Sequence, residues 1–131
     1  MLKKIGIVIG VILLVIVCVI GGLYLRAMSM ANNVITQYEN IQPVNMAKVA
    51  DGVYTGSFSD FLVAAKVQVT VKRHRITEIK LVDQRCGPGY EAVGTTDRIL
   101  KAQSPKVDAV TGASGSSKTI MIAVYRALTG K

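Results

Sequence analysis

The sequence has no tryptophan, a single histidine and only eight acidic residues, and its two cysteines are Cys18 and Cys86. Each shortage excludes something. The carboxylates are scattered singly and no His, Cys and Asp set is clustered, so a protein metal centre is not expected. Cys18 lies within the apolar N-terminal run, which leaves Cys86 without a disulfide partner outside it. Gly89 stands where a Cys-x-x-Cys pair begun by Cys86 would need its second thiol, so Cys86 reads as a loop thiol. His74 sits alone between Arg73 and Arg75 in a predicted turn, with no ligating neighbour. There is no Walker lysine spacing and no Gly-x-Gly-x-x-Gly pattern. The net charge of +8 falls to +5 when Lys3, Lys4 and Arg26 are set aside. What remains is spread along the chain without an aromatic-backed basic run, which argues against nucleic acid as a partner. It reads as a solvated surface with some affinity for anionic lipid.

Charge is absent altogether from Ile5 to Leu25, where fifteen of the twenty-one residues are Ile, Leu or Val. About 20 apolar helical residues cross the ~30 Å hydrocarbon layer of a bilayer. Each central Leu, Ile or Val favours insertion by about 0.3–0.6 kcal/mol, so residues 5–25 read as a transmembrane helix behind a cytoplasmic stub of residues 1–4. Lys3 and Lys4 precede the span; Arg26 follows it, and the next basic residue is Lys48. The positive-inside rule then puts the N-terminus in the cytoplasm and everything after Leu25 outside, as a single-pass protein of the cell membrane. A cleaved signal peptide is the rival reading. The run exceeds the usual apolar length of about 7–15 residues, and only Ala27-Met-Ser and Ser29-Met-Ala offer weak cleavage sites.

Residues 26–50 read as a stalk. Met28, Met30, Val34, Ile35 and Tyr38 form a loose helical stripe that stops before Pro43, and Pro43 to Ala50 reads as a linker. The compact domain then occupies residues 51–131, enough for one modest core. Val53 to Phe58 predicts a strand opened by Asp51-Gly52. Residues 65–72, with Val67, Val69 and Val71 facing one way, and residues 76–82 predict a hairpin broken at Arg73-His74. Residues 83–90 read as a loop and Glu91 to Lys101 as a short helix. Ile120, Ala123, Val124, Ala127 and Leu128 recur at helical spacing, with Ser116 or Ser117 at the N-cap position and Gly130 after the end. The domain is therefore expected to be α+β, an antiparallel sheet backed by a C-terminal helix.

The segment with chemical potential precedes that helix: Asp108-Ala-Val-Thr-Gly-Ala-Ser-Gly-Ser-Ser. Its glycines and small side chains let a ligand approach the backbone, and the free N–H groups and dipole of a helix start favour an anion. On physical grounds this is a phosphate site or an ordinary loop and cap.

The segment resembles the signature of the FMN-binding domain family, Asp-x-x-Ser/Thr-Gly-Ala-Ser/Thr before a serine-capped helix. Asp108, Thr111, Gly112, Ala113 and Ser114 match it, and Ser116-Ser117 match its usual continuation. The family's opening Asp-Gly-x-Tyr-x-Gly occurs here as Asp51, Gly52, Tyr54 and Gly56, with a valine-rich hairpin between the two motifs. The resemblance spans residues 51–129. It implies that the final Ser/Thr, here Ser114, is esterified to the phosphate of FMN by a flavin transferase that uses FAD and Mg²⁺. Asp108 and Thr111 to Ala113 would be what the transferase recognises. Serine in place of the commoner threonine is a departure from the family's pattern.

The expectation is a membrane-anchored, extracytoplasmic electron-transfer module with FMN on Ser114, working between membrane and external redox partners. It is expected to be a redox carrier and not a complete enzyme, because no catalytic acid–base set is visible. Tyr54 and Phe58 are the aromatic residues available to cover part of the flavin ring. Two other readings fit the same residues: a domain that binds or senses FMN without a covalent bond, and a cofactor-free membrane-anchored interaction module whose serine-rich loop is only a cap.

Overall fold

The structure, a computed structural model, describes residues 1–89 and 91–130. Tyr90, the last residue of the predicted 83–90 loop, and Lys131, the last of the predicted domain, lie outside the described residues. The fold is α+β. A long helix α1 (Leu2–Glu39) is followed by a 3₁₀ turn at Met46–Lys48 and three strands, β1 (Gly52–Asp60), β2 (Val63–Lys72) and β3 (Arg75–Arg85). Helices α2 (Gly94–Ala102) and α3 (Ser114–Thr129) complete the chain. The strands form one antiparallel sheet in the order β1-β2-β3.

The sheet has one buried face because β2 alternates. Ala65, Val67, Val69 and Val71 point into the core, whereas Lys66, Gln68 and Lys72 are exposed. On β3 the alternation is interrupted. The β2–β3 register shifts between Lys66 and Val67 and between Thr70 and Val71, leaving Val82 and Thr77 as extra residues on β3. Each bulge resets the inward phase, so Ile76, Ile79 and Leu81 all turn toward the core despite their uneven spacing. At the β2–β3 turn Arg73 and His74 have φ of 51° and 61°, the left-handed pair that a two-residue hairpin requires. Neither residue favours that conformation, and both are held by neighbours. The Arg73 N–H donates to Asp51 Oδ1 at 2.8 Å. His74 Nδ1 lies 3.2 Å from the carbonyls of Met46 and Val49, which can only accept, so that nitrogen carries the proton.

Helix α3 lies across the buried face of β1 and β2, contributing Ile120, Met121, Ile122, Ala123, Val124, Ala127 and Leu128 to the core. Burial of each large apolar side chain is worth about 1.5–3 kcal/mol, so this seam dominates the domain's stability. Gly56 makes the seam possible. A Cβ there would meet the Ala123 carbonyl oxygen at 2.0 Å and the Ala127 nitrogen at 2.5 Å. Helix α2 is tied to β3 by Gln103, whose side chain accepts from the Ile76 N–H at 2.7 Å and donates to the Ile76 carbonyl at 2.9 Å.

Helix α1 is long and apolar enough to cross a membrane, and none of its most apolar window is buried against the rest of the chain. Its second half behaves differently. Val34 is buried in the core, with Met30 and Tyr38 packed beside it, and Ile41 and Val49 of the following segment join the same cluster. The predicted stalk of residues 26–50 therefore lies against the domain and does not hold it at a distance. Three contacts pin the β1–β2 turn to α1: Asn33 Nδ2 donates to Asp60 Oδ2, the Leu62 N–H meets Met30 Sδ, and Arg26 stands over the Phe61 ring. The hydrogen bond from Asn33, then that from the Phe61 N–H, and also the nearby Arg26 charge hold the Asp60 carboxyl below its ordinary range.

Two outcomes follow from this packing. Gly56→Ala should destabilise the domain by about 1–3 kcal/mol or more, because the clash is with helix backbone and not with a side chain that can move. Loss of hydrogen-exchange protection in β1 and β2 of the full chain measures it, and unchanged protection would refute the close approach. For Asp60, a carboxylate whose folded value is depressed stabilises fully above its unfolded value and loses that contribution as pH falls through the folded one. Protection of the Phe61 amide should therefore decline as pH drops below the ordinary value of 3.8. In Asp60→Asn the same protection should be independent of pH across that range.

Candidate functional site

The segment from Asp108 to Ser117 runs from the α2–α3 connection into the first turn of α3, and its shape is set by three local features. Gly112 has φ of +80°, a left-handed conformation that a side chain would strain. Arg98 on α2 reaches across and donates from Nη1 to the carbonyls of Asp108 and Ala109, at 2.9 Å each. Ser117 closes the loop from inside. Its hydroxyl donates to the Ala113 carbonyl at 2.7 Å and accepts from the Val110 N–H at 2.9 Å.

The predicted N-cap at Ser116 or Ser117 is corrected by this arrangement. Helix α3 begins at Ser114 with Ala113 in the cap position and no side-chain cap. The Ser117 hydroxyl is taken by a loop N–H and a first-turn carbonyl, so it works inside the helix and not ahead of it. The first hydrogen bond of the helix runs from the Ser117 N–H to the Ala113 carbonyl at 2.9 Å. The N–H groups of Ser114, Gly115 and Ser116 precede it and have no carbonyl one turn back within the helix.

The four hydroxyls of the segment are thus sorted by position. Ser117 is fully buried and Ser116 is 5% exposed, whereas Thr111 and Ser114 face solvent. Gly115 beside Ser114 is unobstructed, with nothing within 4 Å of the place a Cβ would take. Ser114 also opens on a cavity of about 260 Å³ between the start of α3 and the outer half of α1. Met30, Ala31, Val34, Ile35 and Val63 line it with Ser114 and Gly115, and Lys118 supplies the one charge. Lys118 follows Ser114 by four residues on the same helix face. Its ammonium stands 5.1 Å from the Tyr38 ring centroid, and Lys106 stands 4.7 Å from the same ring.

The other predicted residues fall into different places. Asp108 is exposed at the rim of a separate, open concavity with Tyr38, Arg98, Lys101 and Lys106. Tyr54 is not near Ser114. It shares a surface hollow with Ala127 to Gly130 at the far end of α3, about 20 Å away at a helix rise of 1.5 Å per residue. There its hydroxyl donates to the Ala50 carbonyl at 2.6 Å and holds the entry to β1. Phe58 is 4% exposed, packed in the core with the Arg126 guanidinium 5.0 Å from its ring. Neither aromatic residue lines the Ser114 cavity. Three members of the opening motif Asp51-Gly52-x-Tyr54-x-Gly56 have structural duties: Asp51 supports a turn, Tyr54 closes a loop and Gly56 admits α3.

Sequence reasoning missed three contributors. Lys118 was findable from its four-residue offset to Ser114 on a helix. Arg98 carried no signal, being one arginine among exposed helix residues. The α1 stripe was visible as a stripe, but nothing in the sequence said what it faces.

A scan against protein-family models matches residues 63–129 to the FMN-binding domain. The match runs from the start of β2 to the end of α3 and contains the whole Asp108–Ser117 segment, leaving out the Asp51–Gly56 motif and α1. A search of curated proteins finds no match. With just over half of the chain matched, including the loop that presents Ser114, the protein belongs to the FMN-binding domain family.

Proposed function

We propose that this protein is a membrane-anchored electron carrier that holds FMN as a phosphoester on Ser114, with the domain on the extracytoplasmic side. The observation that carries the reading is the sorting of hydroxyls within the family's signature segment. Ser117 and Ser116 are buried, and Ser114 stands exposed at the start of α3 beside Lys118 and the three backbone N–H groups that precede the first helical hydrogen bond.

The residues present fit the group. The helix start and Lys118 favour a phosphate, and the apolar cavity beside Ser114 favours an aromatic ring. A helix N-terminus contributes only about 0.3–1 kcal/mol to an anion, up to about 2 kcal/mol when partly buried. That is too little to retain a cofactor against dilution outside a cell, and a covalent tether removes the difficulty. Attachment would join Ser114 Oγ to the FMN-side phosphorus of FAD with AMP as the leaving group, and the flavin transferase would supply the Mg²⁺ and accept the hydroxyl proton. Asp108, Thr111 and Gly112 form the exposed approach the transferase would read, with Ala113 buried beneath them. Once bound, the flavin supplies reversible electron transfer, and the protein supplies position and environment.

The basic residues Lys3 and Lys4 before the span support a cytoplasmic N-terminus. The cavity begins at Met30, so it lies about 8–15 Å beyond the end of the apolar run at 1.5 Å per residue. A carrier at that height is within reach of donors or acceptors in the membrane as well as outside it.

The test is coexpression of the full chain with a flavin transferase, followed by denaturation and visible absorbance. Wild type should keep its flavin through denaturation, Ser114→Ala should lose it completely, and Ser117→Ala should retain it while losing some loop stability. Flavin released from wild type on denaturation would favour the non-covalent reading. Protein colourless before denaturation would overturn both.

A further inference from the structure

Beyond attachment, the flavin ring needs a surface to lie on, and the residues first expected to provide it are elsewhere. Tyr54 is at the other end of α3 and Phe58 is consumed by the core. We infer that α1 supplies the missing wall: Met30, Ala31, Val34 and Ile35, facing Val63 across the Ser114 cavity, form the seat of the isoalloxazine ring. This inference rests on FMN being carried at Ser114.

The cavity is the one among those described that combines apolar lining with the attachment residue. At about 260 Å³ it falls just below the ~300–1,000 Å³ typical of small-ligand sites. It therefore suits the ring of a flavin whose phosphate stays outside at the helix start. The lining divides by element in the same sense: Ser114, Gly115 and Lys118 come from α3, and the aliphatic side chains from α1 and β2. The α1 wall is held in register independently of any ligand. Val34 is 4% exposed in the core, and Asn33 is bonded to Asp60 on the β1–β2 turn. Ala31 and Ile35, one helical turn apart, stay exposed beside this anchored face. An exposed Ile flanked by an alanine, next to an exposed serine at a helix start, is explained by an aromatic group lying between them. The helix that crosses the membrane would then also be part of the cofactor site, so the ring would sense how α1 is seated.

The experiment uses the full chain in detergent or bilayer discs, with Cys18 and Cys86 replaced by serine. Ala31→Cys, Ile35→Cys and, as a control, Asn32→Cys are each made with and without coexpressed flavin transferase. Maleimide labelling should slow several-fold on flavin loading at positions 31 and 35, and stay unchanged at 32. Iodide quenching of the bound flavin's fluorescence should rise in Ala31→Glu and not in Asn32→Glu, with equal flavin retained after denaturation. Equal labelling with and without flavin at all three positions, in protein that retains flavin through denaturation, would overturn the wall while leaving Ser114 attachment intact. Wild type without denaturation-resistant flavin would overturn both.

Discussion

At Gly56 the backbone of α3 comes so close to β1 that no side chain fits between them, and the rest of the domain is arranged around that contact. Because the helix rests directly on the strand, its direction over the sheet is fixed and its two ends have fixed addresses. The C-terminal end meets Tyr54 and the entry to β1; the N-terminal end meets α1 and the start of β2. Ser114 is the first residue of that N-terminal end. A glycine nearly sixty residues earlier in the chain thus determines what Ser114 faces.

Two kinds of force then divide the work around Ser114. Apolar burial seats the elements: Val34 on α1 and the α3 seam each contribute at the scale of about 1.5–3 kcal/mol per large side chain. The polar contacts between α1 and the domain are weaker. Cation–π pairs such as those at half-buried Tyr38 are worth about 0.5–2 kcal/mol each, so they orient what burial has already joined. Within the loop, directional bonds matter more than energy. Ser117 and Arg98 satisfy the loop's backbone groups from inside and from α2, which leaves the Ser114 hydroxyl without a structural duty. The residue proposed to carry the cofactor is an exposed serine whose hydroxyl has no hydrogen-bond partner among the described residues.

Local pattern made much of this legible in the sequence. The alternation of Val67, Val69 and Val71, the helical spacing of Ile120 to Leu128 and the uncharged run from Ile5 to Leu25 each rest on one element at a time, and each element is where its pattern puts it. The bulges at Thr77 and Val82 were not visible, because a bulge is defined by register against a partner strand. The helix cap lies three or four residues before the serines that suggested it, since a buried serine bonding within the first turn looks like a cap when only the letters are seen. Tyr54 shows the larger limit. It belongs to a motif that accompanies the attachment segment in the family, but the motif's members hold the fold and lie a helix length from Ser114. Proximity across elements, here between α1 and α3, depends on packing that no single stretch of sequence encodes.

The central claim is one covalent bond at one atom, and peptide mapping tests it most directly. Full-length protein coexpressed with a flavin transferase is denatured, digested with trypsin and sequenced by tandem mass spectrometry. Cleavage after Lys106 and Lys118 isolates residues 107–118, which contain Thr111, Ser114, Ser116 and Ser117. This peptide should carry the mass of an FMN phosphoester, and fragmentation should place it on Ser114. The same peptide found unmodified, or modified at Thr111, Ser116 or Ser117 instead, would contradict the claim.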